Sequence, residues 1–326
     1  MLDLGRNIGG ICTIAYSHLL CIIIMNYIEA FNKLQEYSKD LESVKYEKLI
    51  EILKTSIRKI PIPLAKLRPE SSIERARANN GTPLFETIED LGYIKDEEVI
   101  KKLTKFGRAN KPHEVLFYSA IQTSKLDKAR VTAIAETSRL FLDNNSVQMD
   151  GELFTVSRWR NKKELIIAEV VYAEEAIKNN EDIKASYEKQ KQFAKELEGV
   201  DSKFFEDFLI FISNEYARIA KNHNDYKIST AYTELVLTHK DVQGITYPSV
   251  QTNYVGANLV LPTKVVDEFL YPEVATTSYL YKNKMKMTIG NGGHFCKKLG
   301  NEIVWQELDK KYITPKEELL RSLNEE

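Results

Sequence analysis

Residues 107–136 read GRANKPHEVLFYSAIQTSKLDKARVTAIAE. Within them, Val115-Leu116-Phe117-Tyr118 has the apolar, aromatic composition of a strand. Residues 124–142 follow as a helix, with Val131, Ile134, Ala135, Phe141 and Leu142 on one face. The flanks repeat this mixture. Upstream, residues 73–77 (IERAR) read as a short strand, closed by a turn at Asn80-Gly81-Thr82-Pro83. Downstream, strands are expected over 153–159 and 165–171, separated by the turn-like Arg160-Asn161-Lys162-Lys163. Residues 172–222 are charged and mostly helical, and a further helix covers 227–239. Strand-like pieces return at 245–247, 258–261 and 278–288, and Asn291-Gly292-Gly293 carries a hairpin-type turn signal. No repeat of fixed period and no regular βαβ alternation is visible, so the class is α+β.

The N-terminal part differs in character. Residues 26–60 carry Ile28, Phe31, Leu34, Leu41, Val44, Leu49, Ile50, Leu53 and Ile57 at near-helical spacing. Pro61 and Pro63 stop that pattern, because proline removes a donor and clashes with the preceding turn. Residues 61–70 then read as a linker. Ahead of the helix, ICTIAYSHLLCIIIM at 11–25 is the one strongly apolar run. It is shorter than the ~20 apolar residues of a membrane span, and it lacks the basic flank and small-x-small site of a signal peptide. Three readings stay open for residues 1–25: an extension upstream of a start at Met25, a loosely packed helix or anchor, and an export signal. The organisation expected is an apolar extension (1–25), a helical segment with linker (26–66), a catalytic domain (67–275) with a helical insertion near 172–222, and C-terminal strands and tail (276–326).

Lys and Arg (46) balance Asp and Glu (47), which leaves a net charge of −1 and no bulk attraction to nucleic acid or to an anionic membrane. The three cysteines, Cys12, Cys21 and Cys296, have no CxxC spacing and cannot build a disulfide framework, so a reducing, cytoplasmic setting is expected. The five histidines are scattered, and no metal site is expected. A P-loop, a GxGxxG after a strand, HExxH and GxSxG are all missing from the sequence.

Several segments carry polar chemistry instead. In chain order they are Glu74-Arg75-Ala76-Arg77, Gly107-Arg108-Ala109-Asn110 running into Leu116-Phe117-Tyr118-Ser119-Ala120, and Thr132-Ala133-Ile134-Ala135-Glu136. Phe154-Thr155-Val156-Ser157-Arg158-Trp159 follows, and last come Gly244-Ile245-Thr246-Tyr247-Pro248-Ser249 with Gly256-Ala257-Asn258-Leu259. In order and approximate spacing, over residues 70–265, these segments resemble the RES-domain family, named for an Arg, a Glu and a Ser. The resemblance implies an ADP-ribosyltransferase-like mixed β core and consumption of NAD⁺ as a substrate, with no prosthetic group. It also implies a toxin-like role, with a helix-turn-helix antitoxin as partner. The chain is longer than the compact toxin members by its N-terminal helical segment and its insertion. The partners expected are NAD⁺, such an antitoxin, and a second copy of the chain, with no nucleic acid and no membrane.

The chemistry of NAD⁺ fits these residue types. Its nicotinamide is cationic and leaves without protonation, through an oxocarbenium-like state. Arg75 matches the family's arginine, and its planar fork suits the pyrophosphate. Arg77, two residues on and on the same strand face, is the alternative phosphate ligand, and Arg108 either assists or holds its loop. Tyr118 offers an aromatic platform for nicotinamide, and Glu136 a carboxylate facing the developing positive charge. The alternative for Glu136 is a surface ion pair with Arg139. Ser249, after Tyr247-Pro248, would bond ribose or phosphate, and Asn258 would bond the loop that positions Ser249. The activity expected is cleavage of the nicotinamide–ribose bond with water or inorganic phosphate as acceptor. ADP-ribosyl transfer to a protein and a non-catalytic NAD or ADP-ribose-binding module are the alternatives.

Overall fold

The computed structural model describes residues 27–57, 61–143, 145–196, 201–297 and 302–324; the readings of residues 1–25 lie outside them. The strands are β1 (Leu64–Leu67), β2 (Ser72–Ala78), β3 (Leu116–Ile121), β4 (Val147–Asn161), β5 (Leu165–Glu169), β6 (Gly244–Pro248), β7 (Ala257–Pro262), β8 (Leu270–Asn283), β9 (Lys286–Cys296) and β10 (Gln306–Glu307). They form one mixed sheet in the order β1-β5-β6-β7-β3-β2-β4-β8-β9-β10. The protein is thus a mixed α and β structure built on a ten-stranded sheet.

Helices α1 (Tyr27–Tyr37) and α2 (Tyr46–Ile52) replace the single helix expected over 26–60. The chain turns between them because Leu41 and Val44 must both be buried, and the carbonyls of these two residues accept 2.8 and 2.7 Å bonds from Lys227 Nζ. The expected linker is also a correction: Leu64–Leu67 adds an edge strand to β5 in antiparallel register. The prolines at 61 and 63 precede this strand, where no ladder donor is lost.

Short helices α3 (Ile88–Leu91) and α4 (Glu97–Lys101) lead into β3, and α5 (Ala129–Thr137) follows it. The helix expected over 124–142 is shortened to α5, ended at Ser138, whose hydroxyl caps a following 3-10 turn. The turn-like residues 160–163 do not close a hairpin. β4 pairs with β2 and β8, whereas β5 pairs with β1 and runs parallel to β6. A parallel pair needs a long crossover, and α6 (Glu174–Asn179), α7 (Glu181–Glu196), α8 (Ser202–Ala217) and α9 (Lys227–Leu237) supply it. The charged 172–222 region is therefore the connection that the β5–β6 pairing demands.

Finally, α10 (Thr263–Phe269) joins β7 to β8, and α11 (Lys316–Asn324) ends the described chain. The β8–β9 hairpin turns at Lys284, whose φ is +55°, so the turn expected at 291–293 is another correction. Those residues lie inside β9, where Gly292, Gly293 and His294 bulge opposite Thr277 and Gly293 takes a φ of +86°. A Cβ on Gly292 would come 2.5 Å from Thr277 Oγ1, so the glycine serves close strand approach rather than reversal.

The largest core lies on one sheet face, where Phe31, Leu34, Leu49, Phe208, Ile212 and Tyr232 meet Ile245, Tyr247 and Val260. On the opposite face Ile73, Phe117, Trp159 and Leu259 pack under Val265 and Val266 of α10. A smaller cluster, with Ala76, Ala120, Ala133 and Ile134, seats α5. The sheet is continuous in hydrogen bonding but narrow at its middle. β2 meets β3 only at Ile73–Ile121 and Glu74–Ala120, while it pairs with β4 along its whole length. From Arg75 onward the two strands part, and a cleft opens between them.

Candidate active site

The cleft, about 300 Å³, is lined by Arg75 and Ala76 of β2, Tyr118 and Ser119 of β3, and Ala133, Glu136 and Thr137 of α5. Arg108, Tyr226, Tyr247, Gln251 and Asn258 complete it. Its volume is at the low end of the ~300–1,000 Å³ of small-molecule sites.

Arg75 occupies the fork. Where β2 leaves β3, the carbonyl of Tyr118 has no strand partner on that side and takes a 2.7 Å hydrogen bond from Arg75 Nη1. The guanidinium lies 5.2 Å from the centre of the Phe117 ring. Its Nε is buried with no hydrogen-bond partner, and no carboxylate among the described residues forms an ion pair with it. Burial, with the positive charge of Arg77 adding to it, pushes the guanidinium pKa down to about 10. A half-buried cation without a counter-charge is costly, and an anion in the cleft would supply one.

Glu136 stands at the C-terminal end of α5 and is exposed. Its Oε1 accepts from Ser249 Oγ at 2.6 Å and from Asn258 Nδ2 at 2.9 Å. Both donors bind one oxygen, and charge-assisted bonds of this kind fix a carboxylate's orientation. The ion pair with Arg139 does not form, because the chain leaves the helix at Ser138. Ser249 is fully buried, and its oxygen also accepts from the amide of Thr252 at 3.3 Å. Its hydroxyl is therefore engaged by Glu136 and the turn. Asn258 acts directly on Glu136, not through the Ser249 loop. The register puts Asn258 beside Tyr247, across the β6–β7 ladder.

Tyr118 lines the cleft and commits its hydroxyl elsewhere. The oxygen donates to Asn110 Oδ1 at 2.7 Å and accepts from the amide of Ala109 at 3.0 Å. Burial holds the phenol far above the usual tyrosine range, so it stays protonated. Arg108 stacks 5.0 Å from the Tyr226 ring centre and donates to the carbonyls of Tyr216 and Arg218. It lines the cleft and also holds its wall. Arg77 is not in the cleft. Although on the same strand face as Arg75, it lies roughly 7 Å further along the strand, where it bonds the carbonyl of Asp90 and stacks 4.9 Å from Phe85.

The structure thus brings Arg75, Arg108, Tyr118, Glu136 and Asn258 to one cleft, with Ser249 directly behind Glu136. Sequence reasoning missed Tyr226, Tyr247 and Gln251 as lining residues. Tyr247 stood within a quoted segment; nothing local marks Tyr226. Among the described residues, no group of three or more His, Cys, Asp and Glu side chains could hold a metal ion, and no helix is long and apolar enough to cross a membrane. No protein-family model matches the chain, and no curated protein matches it.

Proposed function

We propose that the cleft binds NAD⁺ and cleaves its nicotinamide–ribose bond, on a core of ADP-ribosyltransferase-like type. The observation that carries this reading is the pairing of opposites in one small cleft: a half-buried arginine without a counter-charge among the described residues and a carboxylate held by two donors. Arg75 takes the pyrophosphate, with Arg108 as a second cation. The ring of Tyr118 supports nicotinamide. Glu136 faces C1′ of the ribose, where positive charge develops.

In this reaction the C1′–N bond breaks and its electron pair leaves with nicotinamide, which becomes neutral. Water then adds to C1′ and loses a proton, giving ADP-ribose; inorganic phosphate in its place gives a phosphorylated ADP-ribose. Transfer to a protein shares the first half of this sequence and differs only in acceptor. A toxin-like role through NAD⁺ depletion follows from the same chemistry.

The test is nicotinamide release from NAD⁺ by purified protein, with and without phosphate, beside the Glu136→Gln variant. We expect release by the wild type and a ~10²–10³-fold lower rate in the variant, the scale for losing one transition-state stabiliser. Substrate affinity should change far less, because the charge that Glu136 answers exists only during cleavage. Absence of release by folded wild-type protein, with NAD⁺ still bound, would favour the non-catalytic binding module.

A further inference from the structure

Glu74 is 3% exposed and adjacent to Arg75, yet its side chain leaves β2 on the opposite face. There its Oε2 accepts from the backbone amide of Arg130 at 2.6 Å. Its Oε1 accepts from Arg130 Nη2 at 3.2 Å, and from Arg158 Nε and Nη2 at 3.1 and 3.0 Å. Arg130 is the second residue of α5, the helix that carries Glu136. That helix has no cap of its own: Lys128 precedes it without a capping bond, and its first turn holds no acidic residue. The first amides of a helix have no intrahelical partners and favour a negative charge. A carboxylate 56 residues earlier in the chain, carried by the strand of Arg75, meets that need.

At its other end α5 touches the same strand, through the Thr137 hydroxyl and the carbonyl of Ala76 at 3.4 Å. Ala76 and Ala133 pack between these two points. Strand and helix are thereby tied on both sides of Arg75.

We propose that Glu74 is a positioning residue for the cleavage reaction: by capping α5 from β2, it fixes Glu136 relative to Arg75. The inference rests on the NAD⁺-cleaving reading of the cleft. Glu74 touches no substrate, and it acts through the helix.

The experiment combines hydrogen exchange with kinetics on Glu74→Gln, alone and together with Lys128→Asp. Lys128 is exposed at the N-cap position, where an aspartate accepts from the first free amides. Glu74→Gln should speed amide exchange in residues 130–133 while the rest of the sheet stays protected. It should also lower kcat for nicotinamide release by ~10-fold or more, within the range seen for ångström-scale misplacement. KM for NAD⁺ should stay within a factor of about three, since the phosphate clamp on the other face is untouched. Lys128→Asp should restore most of both losses. On a Glu136→Gln background, the kinetic effect of Glu74→Gln should largely vanish, because coupled residues are not additive.

Unchanged kcat in folded Glu74→Gln would overturn the proposal, as would a loss in KM alone. Restored protection without restored kcat would do the same. No nicotinamide release by the wild type would sink the cleavage reading instead, and the exchange measurement would still report whether Glu74 caps α5. If Glu74→Gln fails to fold, Glu74→Asp, which keeps the charge but is one methylene short, carries the same comparisons.

Discussion

Arg75 shows how a single residue can be costly to the fold and useful to the site. Its side chain is half-buried against Phe117 with one carbonyl acceptor and, among the described residues, no carboxylate. Replacement by a flexible apolar side chain removes a half-buried, unpaired charge, which is often neutral or stabilising. Arg75→Met should therefore melt at or above the wild-type temperature in thermal denaturation, while weakening NAD⁺ binding by ~10–100-fold, the scale of a lost hydrogen bond to a charged group. Arg75→Lys should not recover the affinity, because an ammonium lacks the planar fork. Titration calorimetry of the two variants checks both statements; a large drop in melting temperature with unchanged binding would make Arg75 a structural residue. Glu136 is the complement. Its type and place were legible in the sequence, but its partners were not, since Ser249 and Asn258 are separated from it by more than a hundred residues.

At the level of elements, α5 is seated closely on the turn after β6. A Cβ on Gly256 would lie 2.0 Å from Thr132 Oγ1 and 2.8 Å from Thr252 Oγ1. Gly256→Ala should cost about 1–3 kcal/mol in urea denaturation, the range for overpacking, and should lower the cleavage rate by displacing Glu136. Adding Thr132→Ala removes the closest atom and should recover part of the loss. Equal stability of Gly256→Ala and wild type would mean that the turn yields without moving the helix.

The end of α8 offers a pH-dependent counterpart. Burial pushes the Glu215 carboxyl up to about 7, against the lowering influence of Arg218. The folded state thus keeps a proton that the unfolded chain gives up near 4.5. Stability contributed by this group is complete below the unfolded value and declines as pH rises through the folded one. Glu215→Gln cannot ionise, so its gain in melting temperature over wild type should be small at pH 5 and larger at pH 8. A difference that is constant across that window would contradict the assignment.

On the scale of the whole molecule, the N-terminal helices share the main core with the crossover. Phe31 packs edge-on against Phe204, Phe208 and Phe211, and Lys227 grips the turn between α1 and α2. Glu234 of α9 binds Tyr46, Lys54 and Lys111, which links these helices to the loop whose Asn110 holds Tyr118. Deleting residues 1–57 should therefore yield protein that binds a hydrophobic dye and has lost its sharp thermal transition. A truncated form that melts cooperatively and still releases nicotinamide would show that these helices are dispensable.

By itself the sequence determined what short-range physics controls. Alternating and helical periods place β2, the strand of Tyr118, α5 and the turn after Tyr247-Pro248 within a few residues of where they lie, and the resemblance to the RES-domain family, read together with residue chemistry, pointed to Arg75, Tyr118, Glu136 and Ser249. Tertiary structure decided what depends on distant partners. Leu64–Leu67 is a strand only because β5 offers it an edge, and Gly292-Gly293 form a bulge within β9 rather than a hairpin turn because β8 pairs on both sides of them, with Thr277 opposite. The parting of β2 from β3 opens the cleft, the meeting of α5 with the turn after β6 brings Ser249 to Glu136, and the crossover carries Tyr226 into the wall. Strand register and burial are set by which segments meet, and a local pattern in the chain carries no record of that meeting.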